Sequence, residues 1–134
     1  MPFDHNASSS SPGSLGVFRA LSALLAALVL IQSILAGQFL TAQPGAKGIH
    51  RNIGIGLSVI VLVVLVQGWR IRRASPAGFA LSVLLLLLIV AATGLGFAGR
   101  ENAGAAAVHI PVAVLTFGLA VAGAVLDRPR ASYR

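Results

Sequence analysis

The sequence predicts an all-α four-helix transmembrane bundle, up-down-up-down, with both termini in the cytoplasm. Three observations predict it. Of 134 residues 57% are hydrophobic and only 10% charged, against roughly 25% charged in a soluble globular domain. The apolar residues fall into four runs of spanning length. The basic residues lie between those runs, and unevenly. One domain fits in this length. A water-soluble enzyme is excluded, because so few charges cannot cover the surface of so apolar a folded chain. With no cysteine there is no disulfide framework, thiolate nucleophile, iron–sulfur cluster or c-type haem attachment. The net charge of +7 reads as loop sorting in a membrane protein, with no nucleic-acid partner.

The first sixteen residues, MPFDHNASSSSPGSLG, form a Ser/Pro/Gly tail expected to be disordered. The first segment, Val17–Leu40, is longer than a signal-peptide core, and its basic flank is the single Arg19. Ile53–Trp69, Ala77–Ala98 and Ala107–Leu126 follow. At about 1.5 Å per residue each approaches the ~20 residues that cross the hydrocarbon. Runs such as VIVLVVLV and LSVLLLLLIV show neither strand alternation nor a soluble helix's polar stripe. The connections, residues 41–52, 70–76 and 99–106, are short enough to make neighbouring helices antiparallel. The four-helix domain spans 17–128, with a short basic tail at 129–134.

Orientation follows from the loops. Arg19, Arg70, Arg72, Arg73, Arg128, Arg130 and Arg134 lie on one side, and Lys47, Arg51 and Arg100 on the other. Seven against three place both termini in the cytoplasm of a multi-pass cell-membrane protein. Asn6-Ala7-Ser8 is then on the inside and no glycosylation site. Trp69 beside Arg70 reads as an interfacial anchor at the inner end of the second helix.

Two of the three histidines occupy equivalent places. His50 lies at the outer end of the second helix and His109 at that of the fourth, which in such a bundle are diagonal neighbours. Both imidazoles therefore sit at one depth on facing helices, and ionisable groups inside spans point by default to function. A metalloporphyrin needs such a pair for axial ligation from both faces, and bundle cores hold such sites. The other reading makes each an ordinary wet interfacial residue. A zinc site lacks further ligands apart from Glu101, and His5 is a solvated tail residue.

Small residues gather at the depth of the histidines. Gly54 and Ser58 follow His50 at i+4 and i+8, and Ala113 and Thr116 follow His109 at i+4 and i+7. Each set shares its histidine's face and leaves room for a ring system; close helix packing is the competing explanation. Arg51 is placed to pair with haem propionates at the outer edge, or else snorkels. Gln38 is expected to hydrogen-bond in the pocket, and Gln32 to bond a neighbouring helix. Pro111 suits a first helical turn, so the fourth helix is expected to begin or kink near His109. The histidines are 59 residues apart, an offset that also pairs Gly37 with Gly96, Gly45 with Gly104 and Ala46 with Ala105. The repeated helix–loop–His–helix layout points to internal duplication more than these identities do.

The stretches ILAGQFLTAQPGAKGIHRNIGIGLS and AAAVHIPVAVLTFGLA, over about residues 17–128, resemble a family of small four-helix bacterial membrane proteins of unknown function. That family in turn resembles one half of haem A synthase and, more broadly, membrane b-type cytochromes. The resemblance implies haem b as cofactor, with His50 and His109 as its ligands. Haem A synthase carries ExxHR where this chain has Lys47 at the glutamate's position, and it has an outer-loop cysteine pair that is absent here. The resemblance thus implies the haem scaffold and not haem A synthesis. The expectation is one bis-histidine haem near the outer face, for electron transfer or haem holding, in a protein that is not an enzyme by itself. The alternative is a non-catalytic scaffold or assembly subunit with a lipid- or quinone-filled cavity. A redox partner, a quinone and a homodimer remain open as partners. A transporter fits less well, since no span carries an acidic residue.

Overall fold

The computed structural model describes residues 12–126 and forms four helices: α1 (Pro12–Leu40), α2 (Ala46–Ile71), α3 (Pro76–Ala98) and α4 (Ala103–Val125). All four are long and apolar enough to cross a membrane. Each packs against its two chain or ring neighbours, α1 on α2 and α4, α3 on α2 and α4. α2 and α4 therefore lie across the bundle from one another, as short antiparallel connections require.

The helices begin earlier than the apolar runs. α1 starts at Pro12, so residues 12–16 are helical and not tail. Proline is well placed in a first turn, and the buried Gln67 of α2 donates to the Ser14 carbonyl at 2.7 Å. α2 starts at Ala46, directly after Gly45, and carries Gly48 within its first turn. Gly45, at φ 79°, caps the helix in the left-handed region that L side chains avoid. α4 starts at Ala103, where the Asn102 side chain accepts from the Gly104 and Ala105 amides at 2.8 and 3.2 Å. Pro111 is consequently inside the helix, and the expectation that it marks the first turn is corrected. Ser75, accepting from Gly78 N at 3.2 Å, caps α3 with Pro76 just inside. The expected tail residues 1–11, with His5 and Asn6, and Arg128, Arg130 and Arg134 of the basic tail lie outside the described residues.

The core is confined to one half. Phe18, Leu25 and Val29 of α1, Leu57, Val61, Val64 and Ile71 of α2, Leu85 and Ile89 of α3 and Ala120 of α4 pack together. Two glycine–serine contacts bring the helices close there. A Cβ on Gly68 of α2 would run into Ser82 of α3, and one on Gly123 of α4 would meet Ser22 Oγ of α1 at 2.8 Å. Such close approach through small residues is how membrane helices gain contact without a hydrophobic drive. Trp69 is exposed at this end, with the Arg72 guanidinium 4.0 Å over its ring and Phe79 edge-on at 5.5 Å. That arrangement fits the anchoring role.

The two contacts follow one pattern, which relates α1 to α3 and α2 to α4: Ser22 corresponds to Ser82 at an offset of 60, and Gly68 to Gly123 at an offset of 55. The pattern takes shape through these pairs more than through the sequence matches at 59. Gly45 caps α2, whereas Gly104 is already inside α4.

Candidate functional site

Beyond the layer of Val29, Leu57, Ile89 and Thr116 the bundle changes character. Toward the α1–α2 and α3–α4 turns only Gln32 and Ala46 are buried, and the rest of the described side chains are half-buried or exposed. Small residues gather here: Gly37 of α1, Gly54 and Gly56 of α2, Gly94 and Gly96 of α3 and Ala105 and Ala113 of α4. The bundle is densely packed at one end and more exposed at the other.

The two histidines stand in the more exposed half. His50 is four residues from the start of α2 and His109 six from that of α4, so their depths differ by about 3 Å. Both side chains are half-buried. Their ring centroids are 6.2 Å apart with an interplanar angle of 69°. The topology thus brings the expected pair together across the diagonal.

Each imidazole is held from the helix preceding it in sequence. His50 Nδ1 lies 3.1 Å from the Gln32 carbonyl oxygen of α1. His109 Nδ1 lies 2.8 Å from the Ala92 carbonyl oxygen of α3. A carbonyl only accepts, so in both rings Nδ1 carries the hydrogen and donates. Neutral imidazole then keeps its lone pair on Nε2. The carbonyls themselves are 60 residues apart, the same offset as Ser22 and Ser82, and the histidines are 59 apart.

The halves differ in detail. Gln32 also donates from Nε2 to the His50 carbonyl at 2.8 Å, which closes a reciprocal pair of hydrogen bonds between α1 and α2. Gln32 is 8% exposed, and its Oε1 is buried with no hydrogen-bond partner. Phe39 packs edge-on to His50 at 5.5 Å. Around His109 the equivalent support is thinner: Ala92 stands where Gln32 does, and the approach is made by Gly96. A Cβ on Gly96 would lie 3.4 Å from His109 Cε1.

The remaining expected site residues fall variously. Gly54 is half-buried and faces Gln32, since its Cβ would stand 3.3 Å from Gln32 Nε2. Its smallness admits the Gln32 amide and does not simply leave open space. Ser58 and Ala113 are half-buried on the expected helices. Thr116 is fully buried in the floor, about 10 Å below His109, where its hydroxyl donates to the Val112 carbonyl at 2.7 Å. Arg51 is exposed beside His50. Gln38 is exposed and lines a shallow groove at the turn with Thr41, Gln43, Pro44, Ala46 and Ile49. No hydrogen bond joins its side chain to His50 or His109 among the described residues. Gln38 sits six residues from Gln32, about 120° away around the helix.

Sequence reasoning assigned Gln32 to a neighbouring helix, where it is, without linking it to His50. Backbone carbonyls were the expected acceptors for the imidazole N–H groups, and Gln32 and Ala92 supply them; Phe39 was not anticipated. Among the described residues no three of His, Cys, Asp and Glu come together as a metal-binding group, so the donor set at this depth is two imidazoles. No protein-family model, no curated protein and no solved structure matches the chain.

Proposed function

We propose that the chain is a multi-pass protein of the cell membrane that binds one b-type haem between His50 and His109 near the outer face. One observation carries the reading: both imidazoles are tied by Nδ1 to a backbone carbonyl of the preceding helix, with Nε2 left as the ligand nitrogen. Metal-bound histidines as a rule donate their other N–H to such an acceptor, which sets ring orientation and basicity. The spacing is compatible. A nitrogen ligand lies about 2 Å from a metal and its ring centre ~1 Å further, so two rings on one ion have centres about 6 Å apart. Since ordinary edge-to-face ring pairs span the same range, the separation alone would not carry the reading.

His50 and His109 hold the iron in this reading. Arg51, exposed and next to His50, pairs with a propionate. The small residues of the outer half make room for the macrocycle. A haem held by both histidines would supply one-electron transfer. The Gln32 and Ala92 carbonyls would fix the two imidazoles, with Phe39 against the His50 ring. An electron-carrying partner, protein or quinone, meets the site from the outer side.

The test is the absorption spectrum of detergent-purified protein expressed with ample haem, oxidised and dithionite-reduced. Sharp reduced α and β bands at near-stoichiometric haem are expected. A colourless folded protein that also fails to take up hemin would sink the proposal and leave the scaffold reading.

The orientation belongs to the same proposal. It is carried by the loop charges, seven basic residues on the inner side against three on the outer. The chain has no cysteine, so single cysteines report cleanly. Lys47→Cys and Arg100→Cys, both at exposed positions, should react with a membrane-impermeant maleimide on intact cells. Arg73→Cys, also exposed, should react only after permeabilisation. The reverse pattern would invert the topology.

A further inference from the structure

We infer that the two histidines are unequal ligands: His50 is the fixed one, and His109 is the one that gives way to a small neutral ligand such as carbon monoxide. The inference rests on the haem reading above and deepens it.

Four features separate the two sides. His50 stands within a two-way clasp, donating to the Gln32 carbonyl while the Gln32 amide donates back to its own carbonyl. His109 makes the single bond to Ala92, because alanine at that place has no amide to return. Gln32 is more than nine-tenths buried, so its clasp works where water does not compete. Phe39 buttresses the His50 ring, whereas the His109 ring faces Gly96, which has no side chain to hold it.

The fourth feature lies in the backbone. Pro111 follows His109 by two residues inside α4. It has no N–H for the Ala107 carbonyl, and its ring crowds that turn. The helical turn that carries His109 therefore lacks one of its rungs. α2 has no proline and runs unbroken through His50. The ring hydrogen bond is the shorter one at His109, 2.8 Å against 3.1 Å at His50, but the clasp, the Phe39 contact and the missing rung all favour movement at His109.

Exchange at His109 is chemically simple. His109 Nε2 would give up its place to the incoming ligand, one lone pair substituting for another. No electron or proton is transferred, and the released imidazole is neutral. A site built in this way binds small uncharged ligands at one face while the other face stays anchored. That adds ligand binding to the electron transfer or haem holding that two permanent ligands allow.

The experiment compares His50→Ala, His109→Ala and the wild-type protein, each loaded with hemin in detergent. Haem retention is read by titration with a competing apo-globin, and carbon monoxide binding by the reduced spectrum. His109→Ala should keep haem as a five-coordinate species that binds carbon monoxide directly. His50→Ala should retain haem about tenfold less well, equivalent to ~1.4 kcal/mol. Adding Gln32→Leu should weaken retention in the His109→Ala background and leave it unchanged in the His50→Ala background. Equal retention by the two single variants, or the reverse order, would overturn the inference. So would equal loss on adding Gln32→Leu to either. A haem-free measurement separates this from the haem reading itself. In the apo protein, ring 15N relaxation should report His50 as more ordered than His109. Unequal rings in a protein that never takes up haem would defeat the haem reading alone; equal rings in one that does would defeat the inequality.

Discussion

A protein with both His50 and His109 changed to alanine should fold, insert and purify like the wild type while holding no haem. The fold should survive because neither ring belongs to the core. Both are half-buried in the more exposed end, and the packed cluster from Phe18 to Ala120 lies beyond the Leu57–Thr116 layer. Each substitution removes one neutral hydrogen bond worth about 1 kcal/mol net. It orphans nothing, since the Gln32 and Ala92 carbonyls remain part of the regular ladders of α1 and α3. A combined loss of about 2 kcal/mol should leave the melting curve recognisably that of the wild type. The haem loss should be complete, because the described donor set contains no other imidazole. The measurement pairs the Soret absorbance per protein with a thermal melt of the hemin-free forms. A double variant that keeps stoichiometric haem would move the site elsewhere. One that fails to fold without haem would give the histidines a structural weight that their exposure does not indicate.

The fold was legible in the sequence where hydropathy speaks and illegible where it does not. Four runs without polar stripes can only be buried in lipid, and short connections leave only one arrangement of neighbours. The diagonal meeting of His50 and His109 follows from those two facts alone. Helix starts were missed by about one or two turns at α1, α2 and α4, because a polar helical turn such as KGIHRN carries no hydropathy signal. Its cues are local instead: Gly45 in a left-handed cap and Asn102 reaching back to two amides. The pocket divided in the same way. Histidines advertise themselves, but the carbonyls of Gln32 and Ala92 that fix their tautomers belong to the backbone, which every residue carries alike. Gln38 looked suitable by depth, yet it stands about 120° around the helix from Gln32. Gly54 shows the remaining difficulty. A small residue on a histidine's face reads as space, and here the space is filled by the one amide that reaches the His50 carbonyl.

Stability should depend on the opposite end of the same helices, and a second substitution exposes that division. Gly68→Leu should destabilise severely, whereas Gly56→Leu on the same helix should not. At Gly68 a Cβ would collide with Ser82, whose own Cβ would be 2.7 Å away and whose position is fixed by its bond to the Phe79 carbonyl at 2.7 Å. Ser82 is fully buried, so no flexible side-chain end can swing aside, and α2 and α3 must part. Overpacking of this kind costs about 3 kcal/mol or more. Replacing glycine inside a helix recovers only about 1 kcal/mol of propensity. The net loss should lower the detergent melting temperature by on the order of 10 °C. At Gly56 a Cβ meets nothing within 4 Å, so only the propensity gain remains and the melt should hold or rise slightly. The shared pattern extends the expectation to Gly123→Leu, which would strike Ser22 between α4 and α1 and should resemble Gly68→Leu. Equal melts for Gly68→Leu and Gly56→Leu would mean that the glycine–serine contacts do not hold the bundle together. The expected order would place stability in the packed half, leaving the histidine half free to stay open enough for a guest.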